Sequence, residues 1–191
     1  MIRTSAFVLK VTPYRDYDVI TTLLSADHGM IKGIIRGAKS RKKGLGAHLH
    51  PPAQVEVVYE ETKHELKSFR EVSPLKHFLT LRQSLAHIES ACKMVAYTLK
   101  ALPLEKPSPQ LYTLLEKMLE GMEKTQNPAA FSMAFLLKLL RHEGIFDPED
   151  PSLETLFYTL CTVKSIGALE KISIPEPAVE KLEKFAALNF L

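Results

Sequence analysis

At Pro74 the hydrophobic period of this chain changes from two to 3.6, and that switch divides its 191 residues into a strand-forming first part and a helix-forming remainder. Downstream of it, Phe78, Leu81, Leu85, Ile88, Cys92, Val95, Leu99 and Leu102 recur at steps of three and four, the stripe of one long amphipathic helix. Pro103, Pro107 and Pro109 interrupt that stripe, and a second helix follows through Leu111, Leu115, Met118 and Met122. Asn127-Pro128 then supplies an N-cap and a first-turn proline for a third. Its segment 129–140 is apolar on nearly every side, which puts it at the centre of a bundle, and Gly144 ends it. Further helices carry Leu153, Phe157 and Leu160, then Val179, Leu182, Phe185 and Leu188.

Upstream of Pro74 apolar residues alternate in short runs bounded by turn residues. Residues 2–11 form a first strand broken at Thr12-Pro13, and residues 19–25 a second that ends at the turn Asp27-His28-Gly29. Residues 30–36, 55–60 and 66–72 supply three more. Five short strands linked by turns and one glycine-rich loop fit a small closed barrel, for which the oligonucleotide-binding OB-fold is the economical choice. The expected architecture is therefore α+β: a five-stranded OB-fold β-barrel over 1–76, followed by an all-α helical bundle over 77–191.

Positive charge is concentrated in the first part. Lys32, Arg36, Lys39, Arg41, Lys42 and Lys43 place six cations in twelve positions without an acidic residue. Residues 1–76 carry a net charge of +5 and the remainder −2, which suggests a division of labour. Strand alternation sets Ile31, Gly33 and Ile35 on one face and Lys32, Ile34 and Arg36 on the other, with Lys32 and Arg36 about 13 Å apart. The other four cations lie on a loop that can follow a phosphate backbone. Such a surface gains affinity from counterion release and reads no sequence. A solvated loop serving only solubility is the competing reading. Tyr14 and Tyr17, beside Arg15 in the loop after the first strand, are candidate stacking platforms for bases, whereas Tyr59 shares the core register of Val55 and Val57.

Little in the sequence supports other chemistry. The histidines are scattered, and His48-Leu-His50 alone is a weak metal signal. No phosphate-binding glycine loop, nucleophile elbow or dinucleotide fingerprint occurs, so catalysis and cofactors are not expected. Cys92 and Cys161 are far apart in apolar helical patterns, which predicts reduced core thiols and a reducing compartment. With no membrane-length apolar run and no signal-peptide pattern, a cytoplasmic protein is expected.

The segment AFVLKVTPYRDYDVITTLLSADHGMIKGIIRGAKSRKKG resembles the N-terminal barrel of the RecO recombination mediator proteins. The resemblance is carried by Val8-Leu9, Pro13-Tyr14, the acidic turn 16–18, Gly29 and Arg36-Gly37-Ala38-Lys39, followed by Leu49 and Pro51-Pro52. It implies an OB-fold joined to a helical domain that binds single- and double-stranded DNA and anneals complementary strands. It also implies cooperation with RecR to load the RecA recombinase onto DNA coated by single-strand binding protein, whose acidic tail is a further candidate partner. No catalytic residue is implied. Arg36, Lys39 and Arg41, with Lys42 and Lys43 beside them, fall where the family presents its DNA-contacting charge; Arg15 and Lys32 are added from proximity and strand geometry. Many relatives carry a four-cysteine zinc module that this sequence cannot build, so no zinc is expected. The part after Gly144 matches the family poorly and reads as abbreviated. Two other readings fit the same residues, an interaction adaptor with weak DNA binding and an RNA-binding OB-fold factor.

Overall fold

The structure is a computed structural model that describes residues 1–40, 48–144, 151–163 and 165–189. Five strands, β1 (Ile2–Tyr14), β2 (Asp18–Ser25), β3 (Gly29–Ile35), β4 (Gln54–Tyr59) and β5 (Leu66–Lys76), close into a barrel in the order β1-β2-β3-β5-β4. Neighbours are antiparallel except β3 and β5, which meet parallel. This is the OB-fold expected from the sequence. Closure removes the free sheet edges that alternating apolar strands would otherwise expose. Ala6, Val8, Leu23, Ile31, Val57 and Phe69 meet inside. Gly33 faces this interior because the Phe69 ring occupies the space a Cβ would need.

Two strands run further than the prolines suggested. β1 continues through Pro13, which sits opposite Val19, to Tyr14. Beyond Phe7 this strand pairs only with β2, so a residue without an N–H costs no ladder bond on the open side. β5 likewise passes Pro74, opposite Val55 beside a register irregularity, and ends at Lys76.

The chain forms two compact units, one of Met1–Leu79 with Leu102–Thr113 and one of Thr80–Ala101 with Leu114–Leu191. In the first unit, Leu102–Thr113 lies against the outside of the barrel. There Phe7, Leu24 and Met30 form one cross-strand row, fully or almost fully buried. The Tyr112 ring stands 4.9 Å from Phe7, and the Glu105 N–H donates to the Met30 carbonyl at 2.9 Å.

The second unit is helical. A 3-10 turn (Leu79–Gln83) precedes α1 (Leu85–Ala101), so the single long helix expected from Phe78 to Leu102 is interrupted at Ser84. The buried face of α1 also differs from the leucine stripe: Ala91, Met94, Val95 and Thr98 are buried, while Leu85 is 72% exposed. Small side chains at Ala91 and Thr98 allow close approach to a neighbouring helix, which a Leu/Ile face would hold off. That neighbour is α3 (Pro128–His142), the central element, with all but four of its fifteen residues buried. The Asn127 side chain caps it by accepting from the Ala130 N–H, and Gly144, at φ +72°, follows its end. Around it stand α2 (Pro109–Met122, from Leu114), α4 (Pro151–Thr162), a single turn α5 (Ile166–Leu169) and α6 (Glu176–Asn189). Cys161 is buried and its thiol pKa is pushed up to about 11 by burial; Cys92 is exposed, not the core thiol its apolar surroundings suggested. Among the described residues no helix is long and apolar enough to cross a membrane.

Candidate nucleic-acid interface

Part of the outer barrel face is covered by Leu102–Thr113; among the described residues of this unit, nothing covers the part over the far halves of β1, β2 and β3, where Lys10 is exposed and Lys32 half-exposed. A β-bulge makes that open part basic. Val8 pairs with Leu23 but Lys10 with Thr22, so Leu9 is an extra residue on β1. Without it, Lys10 would share the inward face of Ala6 and Val8. With it, Val11 packs against the interior and Lys10 turns outward. Thr22 is in turn the partner of Lys32, so Lys10, Thr22 and Lys32 form one row across three strands, the two lysines about 10 Å apart at ordinary strand spacing. The next outward row is Thr12, Ile20 and Ile34, of which Ile20 and Ile34 are half-buried.

Beyond β3, Arg36 and Lys39 are exposed, and the segment that carries them is tied to the β1–β2 turn through Gly37 and Lys39. Three hydrogen bonds make this junction: Gly37 N–H to the Asp18 carboxylate at 2.8 Å, Lys39 N–H to the Tyr17 carbonyl at 3.0 Å, and Lys39 Nζ to the Arg15 carbonyl at 3.3 Å. Gly37, at φ +68°, supplies the left-handed turn that aims its N–H at Asp18. Asp18 is thus engaged with the backbone. Arg15 itself has φ +50°, a conformation in which an L-residue is strained, and its guanidinium carbon lies 5.1 Å from the centre of the Tyr14 ring. Tyr17 is 64% exposed and Tyr14 36%.

The structure therefore brings together four of the seven residues that the sequence singled out, Arg15, Lys32, Arg36 and Lys39; Arg41, Lys42 and Lys43 lie outside the described residues. Lys10 escaped the sequence reading because strict alternation points it inward. The signal available was a lone cation in the otherwise apolar run AFVLKV, which a closed barrel cannot bury unpaired.

The rest of the barrel surface differs in kind. Across β1, β4 and β5, Arg3 pairs with Glu56 and Glu71, and Arg70 with Glu60. The charges there cancel, whereas among the described residues neither Lys10 nor Lys32 is in an ion pair. The close pair His48 and His50 acquires a third member: His48 Nδ1 lies 3.3 Å from His77 Nε2, and His77 Nδ1 lies 3.2 Å from His50 Nε2. The rings form a chain with His77 in the middle, each of whose nitrogens faces a neighbour. Among the described residues no cluster of histidine, cysteine or acidic side chains could hold a metal ion.

Residues 1–78 match the family model described as Recombination protein O N terminal, and residues 82–146 match Recombination protein O C terminal. The DNA repair protein RecO of Chlamydia muridarum is 30% identical over 140 residues, 73% of this chain and 59% of the relative. That of Geobacter sulfurreducens is 33% identical over 151 residues, 76% of this chain and 61% of the relative. A shorter match to the Chlamydia trachomatis serovar D protein reaches 46% over 70 residues, 37% of this chain and 29% of the relative. The chain spans less than two thirds of the length of these curated relatives.

Proposed function

This chain belongs to the RecO family of DNA repair proteins, and from that premise we propose that its barrel binds the DNA backbone through the open β1–β2–β3 face. The carrying observation is the Lys10–Thr22–Lys32 row, continued by Arg36, Arg15 and Lys39 around the tethered β1–β2 turn. These cations meet phosphates, and Ile20 and Ile34 between them, with Tyr14 and Tyr17 at the end, offer apolar and aromatic surface to bases splayed from a single strand. Nothing in that arrangement reads base edges, so binding is sequence-indifferent and weakens as salt rises. Arg41, Lys42 and Lys43, which follow Lys39 closely in the sequence, are included in the proposal.

Annealing follows from the same physics. Two complementary strands repel through their phosphates, and a surface that neutralises both holds them near each other long enough to pair. The protein acts without catalysis, as a recombination mediator that works with RecR to load the RecA recombinase, with the barrel over 1–76 holding DNA and the helices over 77–191 meeting partners. For the acidic tail of single-strand binding protein, the proposed seat is a groove of about 480 Å³ in the helical unit, lined by the apolar Leu114, Met118 and Ile166 and by Lys117, Lys124 and Lys138 against one carboxylate, Glu120.

A strand-annealing assay with complementary oligonucleotides tests the proposal. The wild-type chain accelerates annealing at low salt, and Lys10→Ala/Lys32→Ala/Arg36→Ala slows it toward the protein-free rate. Equal acceleration by both would remove the face from the mechanism.

A further inference from the structure

The opposite end of the same strands is acidic and holds a cleft. β2 and β3 turn around at Asp27-His28, about 23 Å along the strands from the Arg15 turn. There the turn, the end of β4 and the Leu102–Thr113 segment enclose a space of about 240 Å³. Three carboxylates line it, Asp27, Glu61 and Glu105, against one cation, Lys67. Lys67 is already spoken for: its buried ammonium pairs with Glu105 and donates to the Thr62 carbonyl at 2.9 Å. Asp27 and Glu61 therefore leave the cleft with a surplus of two negative charges.

A second, independent observation is the phenol of Tyr59. The residue is 2% exposed, packed edge-on against Phe69 and against the His28 ring 6.1 Å away, yet it lines the cleft and its hydroxyl has no hydrogen-bond partner among the described residues. Burial and the charges of Glu105 and Glu61 raise its pKa, so at neutral pH it presents a neutral oxygen able to accept. The phenol oxygen of an otherwise buried ring, two uncommitted carboxylates and aromatic edges converge on a space the size of one side chain. An anion would meet only repulsion there, and an apolar group would leave the phenol unsatisfied. A group with several N–H donors and a positive charge satisfies all of them together.

We propose that this cleft is a binding site for an alkylammonium or guanidinium group, presented either by a free polyamine or by a lysine or arginine side chain of a partner protein. The barrel then has two functional ends, a basic one for phosphate and an acidic one for an organic cation.

Isothermal titration of the full chain with spermidine, with an acetylated and amidated tri-arginine peptide, and with magnesium at low salt tests this. Saturable one-to-one binding of spermidine or the peptide, not displaced by an equal concentration of magnesium, is expected. Tighter binding of spermidine assigns the site to a free polyamine, and tighter binding of the peptide to a partner's side chain. Asp27→Asn/Glu61→Gln, isosteric changes at exposed positions, should weaken binding at least about tenfold, the effect of losing charge-assisted hydrogen bonds. Tyr59→Phe, which keeps the ring, should weaken it several-fold without moving the thermal midpoint by more than a few degrees. Absence of saturable binding, displacement by magnesium as by any counterion, or equal binding by the carboxamide variant would overturn the proposal.

Discussion

Leu9 decides which way Lys10 faces, and with it whether the open face is basic. At the scale of single residues, the cations on this face stand outside the core, so their removal changes binding and not folding. Lys10→Ala/Lys32→Ala should shift stability by no more than about 0.5 kcal/mol and lower the magnitude of the slope of log K against log salt by about 1.4 on single-stranded DNA. Arg15 separates the two properties more sharply. Its φ of +50° is costly for an L-residue with a Cβ, so Arg15→Gly should leave stability unchanged or raise it by up to about 1 kcal/mol while weakening DNA binding. Chemical denaturation and anisotropy on the same preparations check both. Loss of stability with no change in binding would make Arg15 a structural turn residue.

At the scale of elements, the site depends on contacts that hold strands and turns in register. Asp18 accepts from Gly37 across the junction, and Asp18→Ala removes that bond from a half-buried pair; about 1–2 kcal/mol of stability should be lost, read from the urea midpoint. Gly33→Ala would drive a Cβ into the Phe69 ring and should cost about 1–3 kcal/mol. In the helical unit Asn127→Ala removes the cap of α3 and two donations, to the Glu170 and Ile172 carbonyls, for a loss of about 1–2 kcal/mol. These elements also mark what was legible beforehand. β3 was readable because Ile31 and Ile35 alternate with Lys32 and Arg36, and α3 because Asn127-Pro128 announces its start and its apolar residues leave no polar face. Pro13 misled because the sequence does not say that β1 is unpaired on one side there. The leucine stripe of α1 misled because packing against α3 selected the small residues Ala91 and Thr98. Lys10 stayed hidden for a related reason: a bulge is a property of two paired strands, and one strand's alternation cannot reveal it.

At the scale of the whole molecule, a family match over both parts of the chain and a barrel whose charge is arranged in distinct regions support the proposal that DNA is the ligand of the basic face. On β1, β4 and β5 arginines are neutralised by glutamates, while the β1–β2–β3 face keeps its lysines outside ion pairs among the described residues. That contrast predicts a localised, strongly salt-dependent interaction and not diffuse adhesion of a protein whose net charge is only +3. The most direct test is fluorescence anisotropy of labelled single-stranded DNA against the wild-type chain and its Lys10→Ala/Lys32→Ala/Arg36→Ala variant, each at several salt concentrations. A steep negative salt slope for the wild type and one shallower by about 2 for the variant are predicted. Binding that ignores salt, or an identical slope for the two proteins, would contradict the assignment of DNA to this face.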